Sequence, residues 1–347
     1  MRSLKKQIFK NAPRVLLGAF FLCTSCKDQK KAVESPKEPT PVQSATKPPA
    51  PPAPESEPQQ VPTPAKVAPT ADSKGIRFMA YNIENYLTMT RYVKGGGKQL
   101  SSKAPEEIAA LVDIIVKERP EILGICEIGT ADDLKDLQSR LKEAGLDLPH
   151  AVHTGGADTT RHLGILSALP IAANDSQKEV AYQIDGRDRM MGRGILDVTI
   201  DLPGGPTHFI GLHLKSKREL DDFDQAEIRL NEARLTRAHC EAIMAKDPNA
   251  RLVVYGDMND TRKTPPLAAL MGKYKTPTYL GDVFVKDSRD HLWTHFWSYQ
   301  QQYARFDWVL VSPSVYRDVD QDLSYISDRD NWNEASDHRA IVVTLKK

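Results

Sequence analysis

The sequence from Gly75 onward predicts an α+β fold in which two mixed β-sheets pack face to face and helices cover the outside. Short apolar strands alternate with amphipathic helices along this stretch. Some strands are nearly continuous apolar runs, such as "EILGICEIG" (121–129), which is typical of buried strands. The chain has 347 residues, and that length is sufficient for one large domain with its own core.

Each element is predicted from its local pattern. The segment 75–86 alternates like a strand and then turns polar. The helix at 105–118 opens on a proline, has acidic residues in its first turn and repeats apolar residues at helical spacing. The other predicted strands are 121–129, 150–153, 162–168, 179–184, 193–200, 207–214, 251–260, 305–312 and 339–345, and the other predicted helices are 131–145 and 222–246.

The first 26 residues predict export. Basic residues up to Arg14 precede the apolar run "VLLGAFFLC", which is too short for a permanent membrane span and is typical of a signal peptide. The run leads into "CTSC", which resembles a bacterial lipobox and implies lipidation of Cys26. Cys23 stands where leucine is usual, so ordinary secretion is the alternative. The prediction is a cell-envelope lipoprotein of the outer membrane or periplasm, anchored to the membrane by its N-terminal lipid, or a secreted protein.

Residues 27–73 predict a disordered tether. The segment is rich in Pro, Ala, Lys, Glu and Thr and has almost no large apolar residue, so it cannot bury enough surface to fold. The folded domain is therefore predicted at 74–347. Residues 1–73 carry 11 Lys and Arg and 6 Asp and Glu, against 47 and 46 in the chain, so the domain has a net charge of about −4. Nothing in the sequence calls for more than a monomer.

Polar side chains stand at the ends of several predicted strands. Buried polar groups need partners, so such ends are expected to converge in one cleft. The residues are Asn82, Glu127, His213, Asp257, Asn259, Asp307, Asp337 and His338. Carboxylate and amide oxygens suit Mg²⁺, Mn²⁺ or Ca²⁺ rather than zinc. A hard cation beside two histidines is typical of phosphoryl transfer to water.

These residues carry a resemblance to a known family. "GDMND" (256–260) after an apolar strand, with "SDH" (336–338) near the end of the chain, is similar to the endonuclease/exonuclease/phosphatase superfamily with its deoxyribonuclease I-like fold. The resemblance covers about residues 75–347. It implies a four-layer αββα sandwich whose active site lies at one end of the two sheets.

The resemblance also implies roles. Asn82, Glu127 and Asp337 match the metal-binding positions. His213 matches the histidine that assists the leaving oxygen or steadies charge, whereas Asp257 and Asn259 match the pair that orients water or metal. His338 matches the histidine that acts as a base or contacts phosphate, and Asp307 matches the acid that fixes its tautomer.

Other positions match the family less well. Many members have a further carboxylate that partners the histidine at position 213, and Asp158 is the nearest candidate for it in this sequence. Arg193 at a strand start and Lys215, two residues beyond His213, are candidate phosphate contacts. The basic, glycine-rich segment 91–103 is a candidate loop for a phosphate backbone.

Each residue also has an ordinary structural interpretation. Asp257 and Asn259 could form a helix-capping turn, and His213 could be a hydrogen-bonded strand histidine. Arg193 could be a surface arginine. Cys126 and Cys240 are interpreted as buried thiols rather than a bridge.

Three functions fit these features. The first is an exported nuclease that hydrolyses DNA, or RNA, for which the segment "HLKSK" (213–217) is similar to bacterial extracellular nucleases. The second is a phosphatase or phosphodiesterase acting on inositol phosphates or phospholipid headgroups. The aromatic-rich segment "HLWTHFWSYQQQY" (291–303) could enter a membrane or stack on bases. The third is a catalytically silent binding lipoprotein, which would be expected to have lost one of the key polar residues.

Overall fold

The computed structural model describes residues 75–93, 97–220 and 223–346. The predicted signal peptide with Cys26 and the predicted tether lie outside these residues. Among the described residues, no helix combines the length and apolar character that crossing a bilayer requires.

Two six-stranded mixed sheets form the centre of the fold. The strands of the first sheet, in spatial order, are β17 (Val319–Ile326), β18 (Ile341–Lys346), β1 (Gly75–Tyr86), β4 (Ile122–Ile128), β6 (His162–Ser167) and β5 (His150–Thr154). Those of the second are β13 (Gly281–Asp282), β16 (Asp307–Val311), β12 (Arg251–Asp257), β11 (Gly205–His213), β10 (Leu196–Leu202) and β7 (Ile171–Asn174). The central pairs β1–β4 and β11–β12 are parallel and their neighbours are antiparallel, so each sheet is mixed.

Helices and short hairpins complete the chain. The helices are α1 (Pro105–Glu118), α2 (Ala131–Glu143), α3 (Gln225–Lys246), α4 (Pro265–Met271), α5 (Pro313–Tyr316) and α6 (Trp332–Ala335). The hairpins are β2 (Met89–Val93) with β3 (Gly97–Ser101), β8 (Ala181–Ile184) with β9 (Arg187–Met190), and β14 (His295–Trp297) with β15 (Gln302–Ala304). The sequence prediction missed most of the short elements. Of the hairpin strands it contains only β8, and it also lacks β7, β13, β17 and the short helices α4–α6.

Three apolar clusters fill the spaces between the layers. The cluster between the sheets includes Phe78, Phe209 and Tyr255. The ring centroid of Phe78 lies 5.1 Å from that of Phe209 and 4.8 Å from that of Tyr255. A second cluster packs α1 and α2 on the first sheet, and a third packs α3 and α4 on the second. The predicted architecture, two mixed sheets between layers of helix, is therefore confirmed. Cys126 and Cys240 are buried free thiols, as predicted.

Gly256 permits close contact between β11 and β12 beside the polar strand ends. It adopts φ +132°, and a Cβ atom there would lie 1.9 Å from the Leu212 carbonyl oxygen. We expect Gly256→Ala to lower the free energy of unfolding by about 3 kcal/mol or more, since strain and overlap with backbone add. Gly186→Ala is the matched control, because Gly186 has φ +71° with open space around its Cβ position, so about 1 kcal/mol of strain remains. Urea denaturation measures both, and equal losses would contradict this explanation.

Candidate active site

The polar strand ends of both sheets meet at one end of the sandwich. In the second sheet, His213, Asp257 and Asp307 lie opposite one another on the neighbouring strands β11, β12 and β16. In the first sheet, Asn82 on β1 lies opposite Cys126 on β4, one residue before Glu127. Because the parallel strands of both sheets finish at this end, residues that are far apart in the sequence lie close together in the fold.

Asp257 is the hub of the site. Its Oδ2 atom accepts hydrogen bonds from Asn82 Nδ2 and Asn259 Nδ2, both at 3.1 Å. His213 Nε2 is 3.4 Å from the same oxygen and His338 Nε2 is 3.8 Å away. Burial raises the pKa of Asp257 to about 7, although the neighbouring His338 opposes this rise. The carboxyl is therefore poised to exchange a proton near neutral pH.

Asn259 is fixed as a partner of Asp257 by a tight turn. Its backbone N–H donates to Asp257 Oδ1 at 2.8 Å, and its Nδ2 also donates to the Leu214 carbonyl at 3.1 Å. The residue adopts φ +49°, which asparagine tolerates better than most residues. The helix-capping alternative is wrong for this pair, because the next helix, α4, begins only at Pro265.

His338 and Asp307 form a buried imidazole–carboxylate pair. His338 Nδ1 lies 2.7 Å from Asp307 Oδ2, and this contact directs Nε2 into the site. Burial opposes a charge on the ring, but Asp307 and then Asp337 raise the pKa of His338 well above its ordinary value. Backbone N–H groups hold the pair in place, since Asp307 N donates to Thr294 Oγ1 and His338 N donates to Ser336 Oγ, both at 3.0 Å. The imidazolium form is thus favoured.

Glu127 reaches the site through a β-bulge. Both pairings of β4 shift register at this residue, which adopts φ +68°. Its Oε2 accepts a hydrogen bond from Asn85 N at 3.0 Å and lies 3.7 Å from Arg161 Nε, while its Oε1 lies 3.5 Å from Asn82 Nδ2.

Glu84 is a site residue that sequence reasoning missed. Its Oε2 accepts a hydrogen bond from Asp337 N at 3.0 Å. Burial, reinforced by the charge of Asp337, raises the pKa of Glu84 to about 7. Its position at the polar end of "YNIENY" was the available signal, but the φ of +45° that turns its side chain is not visible in the sequence.

His295 is the second missed residue. Its Nε2 lies 3.7 Å from Asp337 Oδ2, and its ring centroid lies 4.7 Å from that of His338. The Phe306 ring stacks on the His295 ring at a centroid distance of 5.1 Å. One ligand atom from each of His295, Asp337 and His338 lies within 4.8 Å of the others. This group could hold a cation only after His338 lost its proton, because an imidazolium cannot ligate a metal.

The structure does not pair Asp158 with His213. Asp158 Oδ2 instead lies 3.2 Å from Arg193 Nη2, and its Oδ1 accepts from Thr160. His213 Nδ1 is buried without a hydrogen-bond partner among the described residues. Burial, and then the charge of Arg193, lowers the pKa of His213 well below its ordinary value. The ring is therefore neutral, and Arg193 lies close enough to act on it electrostatically.

The two proposed basic contacts differ in placement. Arg193 is 8% exposed, with its Nε buried and lacking a partner among the described residues, so the surface-arginine alternative does not hold. Lys215 was expected on the same strand face as His213, but β11 ends at His213. The Lys215 ammonium donates instead to the carbonyls of Ser216 and Arg218, at 3.0 and 2.9 Å.

The basic segment 91–103 is not the open loop that the sequence suggested. It contains most of the β2–β3 hairpin, with residues 94–96 outside the described part. Lys103 at its end is 3% exposed, and its Nζ donates to the Glu84 carbonyl at 3.0 Å. This lysine therefore packs against the backbone of Glu84 rather than facing solvent.

Carboxylates, amides and imidazoles that converge at one end of a two-sheet sandwich suit the hydrolysis of phosphate esters. Residues 82–336 match the model of the Endonuclease/Exonuclease/phosphatase family, and the chain belongs to this family. A search of curated protein sequences gave no significant match.

Solved structures agree on the fold. Truncated TDP2 from Caenorhabditis elegans superposes with a TM-score of 0.51 at 17% identity, covering 78% of this chain and 97% of that one. Sphingomyelinase C from Streptomyces griseocarneus gives 0.53 at 13% identity, covering 78% and 99%. An endonuclease/exonuclease/phosphatase family protein from Bacteroides thetaiotaomicron gives 0.51 at 16% identity, covering 78% and 97%.

The expected deoxyribonuclease I-like fold is thereby confirmed. Members of the family are hydrolytic phosphoesterases that generally depend on divalent metals, so this chain is a phosphoric ester hydrolase.

Proposed function

We propose that the chain is an exported, divalent-metal-dependent nuclease that hydrolyses phosphodiester bonds of DNA, with RNA as the nearest alternative. The observation that carries the catalytic part is the convergence on Asp257 Oδ2. Asn82, Asn259, His213 and His338 all place a nitrogen within 3.8 Å of this oxygen. A buried carboxyl surrounded by two imidazoles and two amides has no evident structural purpose on a strand end, but it suits proton transfer at a phosphate.

Glu127 and Asp337, with Asn82 beside them, are the residues that would hold the cation. Their oxygens are hard donors, which suit Mg²⁺, and also Mn²⁺ or Ca²⁺. The carboxylate of Glu84 lies beside them, since its Oε2 accepts a hydrogen bond from Asp337 N at 3.0 Å. When bound, the cation neutralises charge on the phosphoryl oxygens. Asn82 Nδ2 donates to Asp257 Oδ2 at 3.1 Å and lies 3.5 Å from Glu127 Oε1, so Asn82 links these two carboxylates. Its Oδ1 accepts a hydrogen bond from the backbone N–H of Glu84 at 3.1 Å.

Asp257 is proposed as the general base. A base is most efficient when its pKa lies near the working pH, and burial raises the pKa of Asp257 to about 7. In its ionised form the carboxylate accepts a proton from the attacking water. Asn259 and Asn82 fix the orientation of the carboxylate through Oδ1 and Oδ2.

His338 is proposed to stabilise the negative charge of the phosphate. Asp307 keeps the ring protonated and holds it by Nδ1, so the N–H at Nε2 faces the reacting group. His213 is neutral and offers a hydrogen bond rather than a charge to the leaving oxygen. Arg193 is proposed as a further phosphate contact, and Lys215 as a weaker one because its ammonium is already bound by carbonyls.

The substrate class is tested by comparing kcat/KM across substrates in Mg²⁺. The full chain is assayed on a DNA oligonucleotide, an RNA oligonucleotide, inositol phosphates and phospholipid-headgroup esters. We expect the highest kcat/KM for DNA. A higher kcat/KM for the headgroup esters or inositol phosphates would overturn the nuclease proposal and favour the phosphodiesterase or phosphatase alternative.

The export proposal rests on the N-terminal sequence alone. A lipid on Cys26 and the proline-rich segment 27–73 would hold the enzyme away from a membrane surface. Metabolic labelling with palmitate is expected to mark the wild-type chain and not Cys26→Ser. Equal labelling of both would exclude Cys26 as the lipidated residue.

A further inference from the structure

The β14–β15 hairpin, residues 295–304, is attached directly to the active site; we call it the aromatic hairpin. Its strands pair His295 with Ala304, Phe296 with Tyr303 and Trp297 with Gln302. Phe296 N donates to the Asp337 carbonyl at 2.9 Å, and His295 forms a β-bridge with His338. The position of the hairpin is therefore fixed relative to the proposed catalytic groups.

One face of the aromatic hairpin points towards the site. His295 lies on this face, because its ring contacts those of His338 and Phe306. Trp297 lies two residues further along the same strand and so shares that face, roughly 7 Å beyond His295.

The opposite face anchors the aromatic hairpin. Phe296 stacks on Tyr303 at 4.5 Å and an interplanar angle of 24°. Trp293 contacts Tyr303 at 4.7 Å and Trp332 at 5.0 Å. These ring contacts, together with the bond from Phe296 N to the Asp337 carbonyl, anchor the hairpin, although Tyr303 itself is 58% exposed.

The tip of the aromatic hairpin nevertheless exposes two large rings. Trp297 is 47% exposed and Tyr299 is 85% exposed, with their ring centroids 6.2 Å apart. We call these two residues the tip pair. Two neighbouring exposed rings on an anchored element form an apolar patch, and such patches mark candidate binding surfaces.

We propose that the tip pair is a stacking subsite for an unpaired nucleobase next to the scissile phosphate. The proposal rests on the nuclease function proposed above and adds a preference for single-stranded or frayed substrates. Flat exposed rings accept any base by stacking. The rest of the tip, Ser298 and Gln300–Gln302, is polar and uncharged, which suits hydrogen bonds to base edges. A lipid-inserting tip would instead bury these amides without partners.

Binding is measured first, separately from turnover. In an Asp257→Asn background, fluorescence anisotropy compares a labelled single-stranded DNA with an abasic strand of the same length and charge. Trp297→Ala with Tyr299→Ala is expected to weaken binding of the base-containing strand by about 5- to 100-fold and to leave the abasic strand unaffected. Using Trp297→Phe in place of Trp297→Ala should restore much of the lost affinity. Tyr316→Ala, which removes a ring that is 45% exposed on α5, is the matched control.

Each outcome has one meaning. An equal loss on both strands, or no loss on either, would overturn the stacking subsite while leaving the nuclease proposal intact. Loss of binding to phosphatidylcholine vesicles, with no change on DNA, would overturn it in favour of a membrane contact. If the wild-type chain hydrolyses only small esters and cleaves no oligonucleotide, the nuclease function itself fails and the subsite fails with it.

Discussion

Asp257→Asn is expected to lower kcat/KM for a phosphodiester substrate by about 10²- to 10⁴-fold, the usual contribution of a general base. Asparagine keeps the shape of the side chain but cannot accept the proton, so the fold should persist with an unchanged melting temperature or a higher one. A higher melting temperature is favoured, because the substitution removes a buried carboxyl group whose pKa is raised by burial. Steady-state kinetics and thermal unfolding measure the two effects.

A buried carboxylate elsewhere in the same sheet provides the control. Asp197 on β10 lies 2.9 Å from His208 Nδ1 and 2.7 Å from His239 Nε2, away from the proposed catalytic groups. Asp197→Asn should therefore lower stability and leave kcat/KM unchanged below the melting temperature. If Asp257→Asn kept wild-type kcat/KM, the assignment of the base would be wrong.

His338→Ala is expected to be nearly as damaging, by about 10²- to 10⁴-fold in kcat/KM, because it removes the proposed charge at the phosphate. Asp307→Asn provides a finer test through pH. Asp307 raises the pKa of His338, so its loss lowers that pKa and the imidazolium deprotonates at lower pH. The alkaline limb of the pH–kcat/KM profile should therefore move towards acid. An alkaline limb that stays in place would show that the protonated ring is not required.

Much of the fold follows from local patterns. The long strands and helices α1–α3 appear close to their predicted bounds, because burial on one or two faces leaves a clear periodicity in the sequence. The predicted helix 222–246 is observed as Gln225–Lys246, beginning after Asp224, whose side chain accepts from Ala226 N at 2.8 Å. Elements of two to five residues, such as β13 and the hairpins, leave too short a pattern to detect, and tertiary contacts determine them.

The candidate site was predictable where strand ends carry the polar residues. Asn82, Glu127, His213, Asp257, Asp307 and His338 do meet, whereas their catalytic and metal-binding roles remain predictions. Glu84 and His295 escaped notice for physical reasons. A left-handed backbone turns Glu84 inward, and His295 approaches His338 only through a β-bridge between residues that lie 43 positions apart in the chain. Lys215 was misplaced because its strand ends two residues earlier.

The most direct test of the central claim is nicking of supercoiled plasmid by the full chain. With Mg²⁺, the wild-type protein is expected to convert supercoiled plasmid to nicked circles, and either EDTA or the Asp257→Asn substitution should abolish the conversion at equal protein concentration. Nicking that persists in EDTA, or that Asp257→Asn does not diminish, would contradict a metal-dependent nuclease centred on Asp257.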